Sequence, residues 1–333
     1  MIEHGGALDL AIEKFGGAKA DWLDLSTGIN PVAYPVPDLP GEVWQRLPDA
    51  GLESAAIAAA RAYYGFGANA GVAAAPGTQA LIQLYPHLAA PGNAMVIGPT
   101  YEEHAQALGL AGRDVRYERA LSSLDDEDMI VALVNPNNPD GKTVPADAIL
   151  FAAERLAERG GLLVVDEAFA DCDGADSVAA HAGMDGLLVL KSFGKFFGLA
   201  GARLGFAAGT AEMTGALGAM LGPWATSGPA LAVAGKAYAD TDWIDATRQR
   251  LKADRKALVG ALTVSGLQVV GGTDLFVTAR HFQAAHIWRE LAARHILARK
   301  FDYAADWLRF GLPADDAGIA RLEHALSAIM AEL

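Results

Sequence analysis

Leu187-Leu-Val-Leu-Lys-Ser-Phe-Gly-Lys-Phe-Phe-Gly-Leu-Ala-Gly-Ala-Arg-Leu-Gly205 begins as a short apolar strand and leaves it through a glycine-bearing loop, with Ser192, Lys195 and Arg203 at fixed offsets. A lysine held against a carbonyl can condense with it, while a nearby hydroxyl and guanidinium anchor a phosphate through charge-assisted bonds. The stretch suits a phosphorylated aldehyde. An ordinary surface loop with basic residues is the alternative, and the loop alone does not exclude it.

Upstream, Leu162-Leu-Val-Val-Asp-Glu-Ala-Phe169 is an apolar strand that ends in two acids, where an open α/β sheet keeps its ligand crevice. A pyridine nitrogen stays protonated only beside a negative charge, and that task falls to Asp166. A strand-end acid that merely caps the next segment would look the same. Val134-Asn-Pro-Asn-Asn-Pro-Asp-Gly141 also follows a strand, and its two X-Pro steps present an amide, Asn138, as a donor to a phenolic oxygen. Ala75-Pro-Gly-Thr-Gln-Ala-Leu81 opens a helix with small residues, so Gly77, Thr78 and Gln79 are the candidate phosphate cradle. Gly98-Pro-Thr-Tyr101 places an aromatic ring to stack on the pyridine, with a plain core tyrosine as the competing reading. In chain order the five stretches supply phosphate donor, ring stack, phenolate donor, ring-nitrogen acid and condensing lysine. Neither GxxxxGK[ST] nor a GxGxxG after a first strand is present.

The 333 residues suffice for one large core and a smaller second domain. Short β-rich runs at Ala94–Ile97, 114–117, 129–134, 162–165, 187–190 and 204–207 alternate with helical stretches such as 102–110 and 146–158, which predicts an α/β fold with a mostly parallel sheet flanked by helices. After Pro229 the texture becomes one long helix through Arg255, then strands near 267–270 and 275–278, a helix near 284–294 and a last helix after Asp315. This part reads as a smaller α+β domain. The expected organisation is an N-terminal arm, 1–40, extended and not helical, contributing to the active site and the small domain; a large domain, 41–235; and a small C-terminal domain, 236–333. A formal charge of −14 argues against nucleic acid and anionic lipid as general partners and leaves a small molecule. No apolar run reaches the roughly 20 residues of a membrane span. The start lacks a signal-peptide pattern, so a cytoplasmic location is expected. One cysteine, Cys172, and eight scattered histidines suggest neither a disulfide framework nor a metal site, and Cys172, His286, His295, Tyr63, Tyr64 and Trp288 read as packing residues.

Taken together, these motifs resemble the class I/II aminotransferase superfamily, fold type I, over nearly the whole length. The resemblance implies pyridoxal 5'-phosphate as cofactor, carried by Lys195, with Asp166, Asn138, Tyr101, Ser192 and Arg203 in the roles above, and a homodimer. The ends, His4-Gly-Gly6, Trp22-Leu-Asp-Leu-Ser-Thr-Gly-Ile-Asn-Pro31 and Trp307-Leu-Arg-Phe-Gly-Leu-Pro313, are similar to the threonine-phosphate decarboxylases of cobalamin biosynthesis. That similarity implies decarboxylation of L-threonine O-3-phosphate to (R)-1-aminopropan-2-yl phosphate, with substrate contacts at His4, Gly5, Asn30, Asn138, Arg299 and Arg309. A substrate with a carboxylate and a phosphate needs at least two cationic anchors, which suits the two arginines, although surface ion pairs would account for them as well. The neighbouring histidinol-phosphate aminotransferases leave a transaminase acting on a phosphorylated amino alcohol as the alternative. A cofactor-binding regulator is a third, and it has no basic stripe with which to reach DNA. Two positions depart from the pattern. Phe169 stands where many aminotransferases have a tyrosine, and Leu47 stands where the histidinol-phosphate enzymes have a tyrosine that reaches the partner subunit's cofactor phosphate.

Overall fold

The computed structural model describes residues 5–172 and 176–333. Two compact units form: Ala33–Asn138 with Lys142–Asp245, and Met1–Val32 with Pro139–Gly141 and Ala246–Leu333. Their borders fall at 32/33 and 245/246, where 40/41 and 235/236 were expected. Tyr34 belongs to the larger unit because its N–H donates to the Phe197 carbonyl at 2.8 Å and its ring meets Phe197 and Trp243 edge-on.

The larger unit is built on strands β1 (Gly71–Ala75), β2 (Asn93–Ile97), β3 (Val115–Glu118), β4 (Asp128–Val134), β5 (Leu162–Asp166), β6 (Leu187–Ser192) and β7 (Gly205–Gly209). They form one sheet in the order β1-β7-β6-β5-β4-β2-β3. The block from β6 to β3 is parallel, and β7 alone runs against its neighbours. Alternate residues of each strand divide between two cores, as expected of a sheet buried on both faces. Met95, Val131, Leu163, Val165 and Val189 pack with Ile149, Ala153 and Leu156 of helix α4 (Ala146–Ala157). Val96, Ala132, Val164 and Leu190 pack with Leu81 and Ile82 of α2 (Thr78–Leu84) and Leu108 of α3 (Glu103–Leu110). A further helix, α1 (Ala50–Tyr64), precedes the sheet and is capped by Asp49, which accepts from the Leu52 N–H at 2.8 Å.

The smaller unit holds a four-stranded antiparallel sheet ordered 299–300, 307–311, 276–280, 268–273, and a parallel pair in which Leu23 and Asp24 meet Ile296 and Leu297. Three sequence expectations are corrected. The first forty residues contain a helix, Leu8–Phe15: Leu8, Ala11, Ile12 and Phe15 follow helical spacing and cluster with Trp22, Trp288, Ala292 and Leu297. The single helix expected from Pro229 to Arg255 is two, Gly228–Ala237 and Thr241–Val264, because Asp240 turns its carboxylate onto the Trp243 N–H at 3.1 Å and starts a new helix. Strand β1 and the strand Trp307–Gly311 were not anticipated.

Candidate active site

Strands β2, β4, β5 and β6 are parallel, and β1 shares their direction, so the segments that follow them emerge at one edge of the sheet. All five motifs lie on those segments. The reversal from β6 into β7 brings Ser192 opposite Gly205 in register and carries Lys195 and Arg203 on the connection between them. A side chain at Gly205 would start 2.6 Å from the Thr78 N–H nitrogen, and one at Gly77 would start 2.7 Å from an Arg203 guanidinium nitrogen. Gly77 has φ 85°, so a β-carbon is excluded both by the backbone and by the space it leaves. Gly77, Thr78, Ser192 and Arg203 thus assemble as a cationic, N–H-bearing cradle at the start of α2, which fits a phosphate.

Two lysines stand four residues apart, and the geometry separates them. Lys191 is buried and ion-paired with Glu167, with its ammonium over the Tyr64 ring at 4.9 Å. Glu167 also accepts from Ser177 Oγ at 2.6 Å and the Val178 N–H at 2.7 Å. Lys195, on the short helix α5 (Phe193–Phe196), has its Nζ 5.6 Å from the centre of the Phe169 ring. Phe169, the departure from the tyrosine pattern, therefore gives the lysine an aromatic face and no hydroxyl. Glu167 is thus committed to Lys191, which sets it apart from its neighbour Asp166.

Asp166 is itself held from behind, by a residue that sequence reasoning missed. His104 is fully buried, and its Nε2 lies 3.1 Å from Asp166 Oδ2, while Asp166 Oδ1 accepts from the Ala168 N–H at 3.0 Å. Tyr85 Oη lies 3.1 Å from His104 Nδ1. Burial, and after it the charge of Asp166, hold the Tyr85 phenol well above its ordinary pKa, so it keeps its proton. In the neutral ring Nε2–H donates to the Asp166 carboxylate, which can only accept, and Nδ1 is then the acceptor for the Tyr85 hydroxyl.

On the neighbouring motifs, Asn135 and Asn137 are spent on the loop itself. Asn135 accepts from the Val144 N–H at 2.8 Å, and Asn137 accepts from Thr100 Oγ1 at 2.6 Å and donates to the Pro99 carbonyl at 3.0 Å. Asn138 is the half-buried amide at the loop's end. The Gln79 side chain bonds Glu103 and Tyr101, which leaves its backbone N–H, the kind of donor expected at a helix start, for the cradle.

The expected substrate residues lie, apart from Asn138, in the smaller unit. His4 falls outside the described residues. Arg299 and Arg309 stand directly opposite each other across an antiparallel pair, with their guanidinium carbons 5.5 Å and 5.1 Å from the Phe301 and Phe276 ring centres. Arg309 donates to the Ser26 carbonyl at 2.8 Å, and a β-carbon at Gly5 would collide with that same carbonyl, which brings Gly5 into the group. Asn30 is buried and accepts from Arg250 at 2.8 Å and from the Val32 N–H at 3.0 Å. Arg250 was not anticipated; its partner is 220 positions away in sequence.

Among the described residues, no group of three or more His, Cys, Asp or Glu could hold a metal ion, and no helix is long and apolar enough to cross a membrane. The chain matches the family model for aminotransferase class I and II over residues 36–329. It is 46% identical to a threonine-phosphate decarboxylase from Sinorhizobium sp, over 98% of each chain. A threonine-phosphate decarboxylase from Pseudomonas aeruginosa is 44% identical, over 98% of this chain and 97% of that one. Among solved structures, a histidinol-phosphate aminotransferase from Sinorhizobium meliloti in complex with pyridoxal-5'-phosphate aligns over 100% of this chain and 96% of its own, at TM-score 0.81 and 20% identity. The fold, the motif-bearing sheet edge and these similarities lead to one assignment: the chain belongs to the class I and II aminotransferase family.

Proposed function

We propose that the protein decarboxylates L-threonine O-3-phosphate to (R)-1-aminopropan-2-yl phosphate with pyridoxal 5'-phosphate as cofactor, a step in cobalamin biosynthesis. The observation that carries this reading is the 46% and 44% identity to two threonine-phosphate decarboxylases over almost the whole chain. The site's donor set supports it. Bound there, the cofactor supplies an aldehyde and a protonated, electron-withdrawing ring. Gly77, Thr78, Ser192 and Arg203 would hold its phosphate, Tyr101 would cover the ring, Asn138 would donate to the phenolic oxygen, and Asp166, backed by His104, would keep the ring nitrogen protonated. Lys195 Nζ would be the amine that holds the aldehyde and, set free when the substrate's amine takes its place, would return a proton to the substrate carbon that loses CO₂. Arg299 and Arg309, with Gly5 and Asn30, are the residues proposed to bind an oxyanion of the substrate.

The protein loaded with pyridoxal 5'-phosphate and given L-threonine O-3-phosphate should release CO₂ over many turnovers with the cofactor's original absorption band restored. No CO₂, with conversion of the cofactor to its amine form, would make the protein a transaminase. Replacing Arg309 with Ala removes a charged hydrogen-bond donor, typically ~1.5–3 kcal/mol, so KM for the phosphorylated substrate should rise by about 10- to 150-fold. An unchanged KM would remove the arginine pair from the site.

The reading includes a homodimer in the cytoplasm. Val36, Trp44 and Leu47 are large apolar side chains exposed within one short segment, a composition suited to burial against a second copy. Light scattering should return twice the chain mass.

A further inference from the structure

The first turn of α3 carries a second hydrogen-bonded chain, distinct from the one that supports Asp166. Glu103 is 7% exposed, and its carboxylate accepts from Gln79 Nε2 at 2.5 Å. Gln79 Oε1 in turn accepts from Tyr101 Oη at 3.1 Å. The order of the chain is dictated by chemistry. A carboxylate can only accept, so Glu103 decides which way the Gln79 amide is turned. The amide oxygen must then face Tyr101, and the Tyr101 hydroxyl is left with the donor role. A glutamine at 103 would bond Gln79 in either sense and would leave that direction open. Burying an acid costs more than burying an amide, so the acid's presence needs a reason, and a directed relay is one.

We propose that Glu103 is a positioning residue: through Gln79 it fixes the tilt of the Tyr101 ring where that ring covers the cofactor. The Gln79 side chain serves this relay and not the phosphate. Gln79 is the second residue of α2, whose start is the phosphate cradle, and Glu103 is the first residue of α3, two positions beyond Tyr101. The relay therefore ties the helix that holds the phosphate to the segment that holds the ring. Ring stacking tolerates a range of offsets and tilts, so it restrains orientation weakly, and a tether at the far end of the phenol narrows the range. The inference rests on the reading that pyridoxal 5'-phosphate occupies this site, and it goes beyond it by giving Glu103 and the Gln79 amide a task.

The test is a double-mutant cycle on the cofactor-loaded protein, using E103Q, Y101F and the pair together. The visible circular dichroism of the bound cofactor is recorded without substrate, and kcat and KM are measured with it. E103Q should change the dichroic band and lower kcat by about 3- to 10-fold with KM nearly unchanged, within the range found for coupled neighbours. Because Glu103 acts through the Tyr101 hydroxyl, the pair should match Y101F alone to within about two-fold. Q79L cuts the same relay in the middle and should reproduce the altered band, which keeps the test available if one variant folds poorly. Additive effects in the pair would overturn the proposal, as would a lowered melting temperature in E103Q with an unaltered band. The dichroic measurement uses no substrate, so a wrong substrate leaves it standing. Conversely, CO₂ release by the unmodified protein beside an additive cycle would sink the relay alone.

Discussion

Lys195→Ala is expected to reduce CO₂ release by about 10³-fold or more, because it removes the condensing amine and the proton carrier together. The obvious rescuer, Lys191, is only four residues away but cannot substitute. Its ammonium is buried against Glu167 and the face of Tyr64, and freeing it would strand a buried carboxylate, which costs ~3–5 kcal/mol. The phosphate cradle does not involve Lys195, so the variant should still bind pyridoxal 5'-phosphate, more weakly and without the lysine-linked absorption band. Lys195→Arg separates charge from chemistry: it keeps a cation at the position but has no amine to condense, and it should be as inactive as alanine. Residual activity within about ten-fold of the original would place the chemistry elsewhere.

The second large effect is expected of Asp166→Asn. The amide is nearly isosteric and its oxygen can still accept from His104, so the melting temperature should move little, while kcat falls by about 10²–10⁴-fold. The sign of the pH effect follows from the charge. An anion beside the ring nitrogen favours its protonated form, and removing that anion should lower the nitrogen's pKa by about 1–3 units. The variant's residual activity should therefore increase as pH is lowered, checked by a pH–rate profile beside a spectral titration of the bound cofactor. A profile that keeps the original shape would deny Asp166 this role. His104→Phe should cost far less, about ten-fold, since the carboxylate's charge remains and only its orientation is loosened.

Much of the fold was legible because its central strands are the kind that announce themselves. Met129–Val134, Leu162–Val165 and Leu187–Leu190 are continuous apolar runs, as strands buried on both faces must be. Gly71–Ala75 was not, since Gly-Val-Ala-Ala-Ala carries almost no β-branched residues and earns its place only by pairing with β7. The Leu8–Phe15 helix was legible in principle from its spacing and was obscured by the glycine pairs on either side, Gly5-Gly6 and Gly16-Gly17. The acids and bases at strand ends could be named from sequence because position on a parallel strand predicts position at the sheet edge. The residues behind them could not. His104 finds its partners 19 and 62 positions away, and Glu103 reaches Gln79 across 24. The facing of Arg299 and Arg309 depends on a strand register that composition does not determine.

The way the chain passes between its two units bears on how the protein is made. Leu23 and Asp24 pair with Ile296 and Leu297, so this strand finds its partner only after residues 25–295 have been made. At about 5–20 residues per second, that strand waits for some tens of seconds. Residues 33–245 emerge in the interval and can close the seven-stranded sheet, whose strands all lie within that span. During that time the nascent chain carries an apolar N-terminal helix with Leu8, Ile12 and Phe15 uncovered, because the residues that cover them, Trp288, Ala292 and Leu297, do not yet exist. A nascent chain arrested once residue 245 has cleared the ribosome should thus present a folded larger unit, resistant to protease, behind an N-terminal segment that is cut readily.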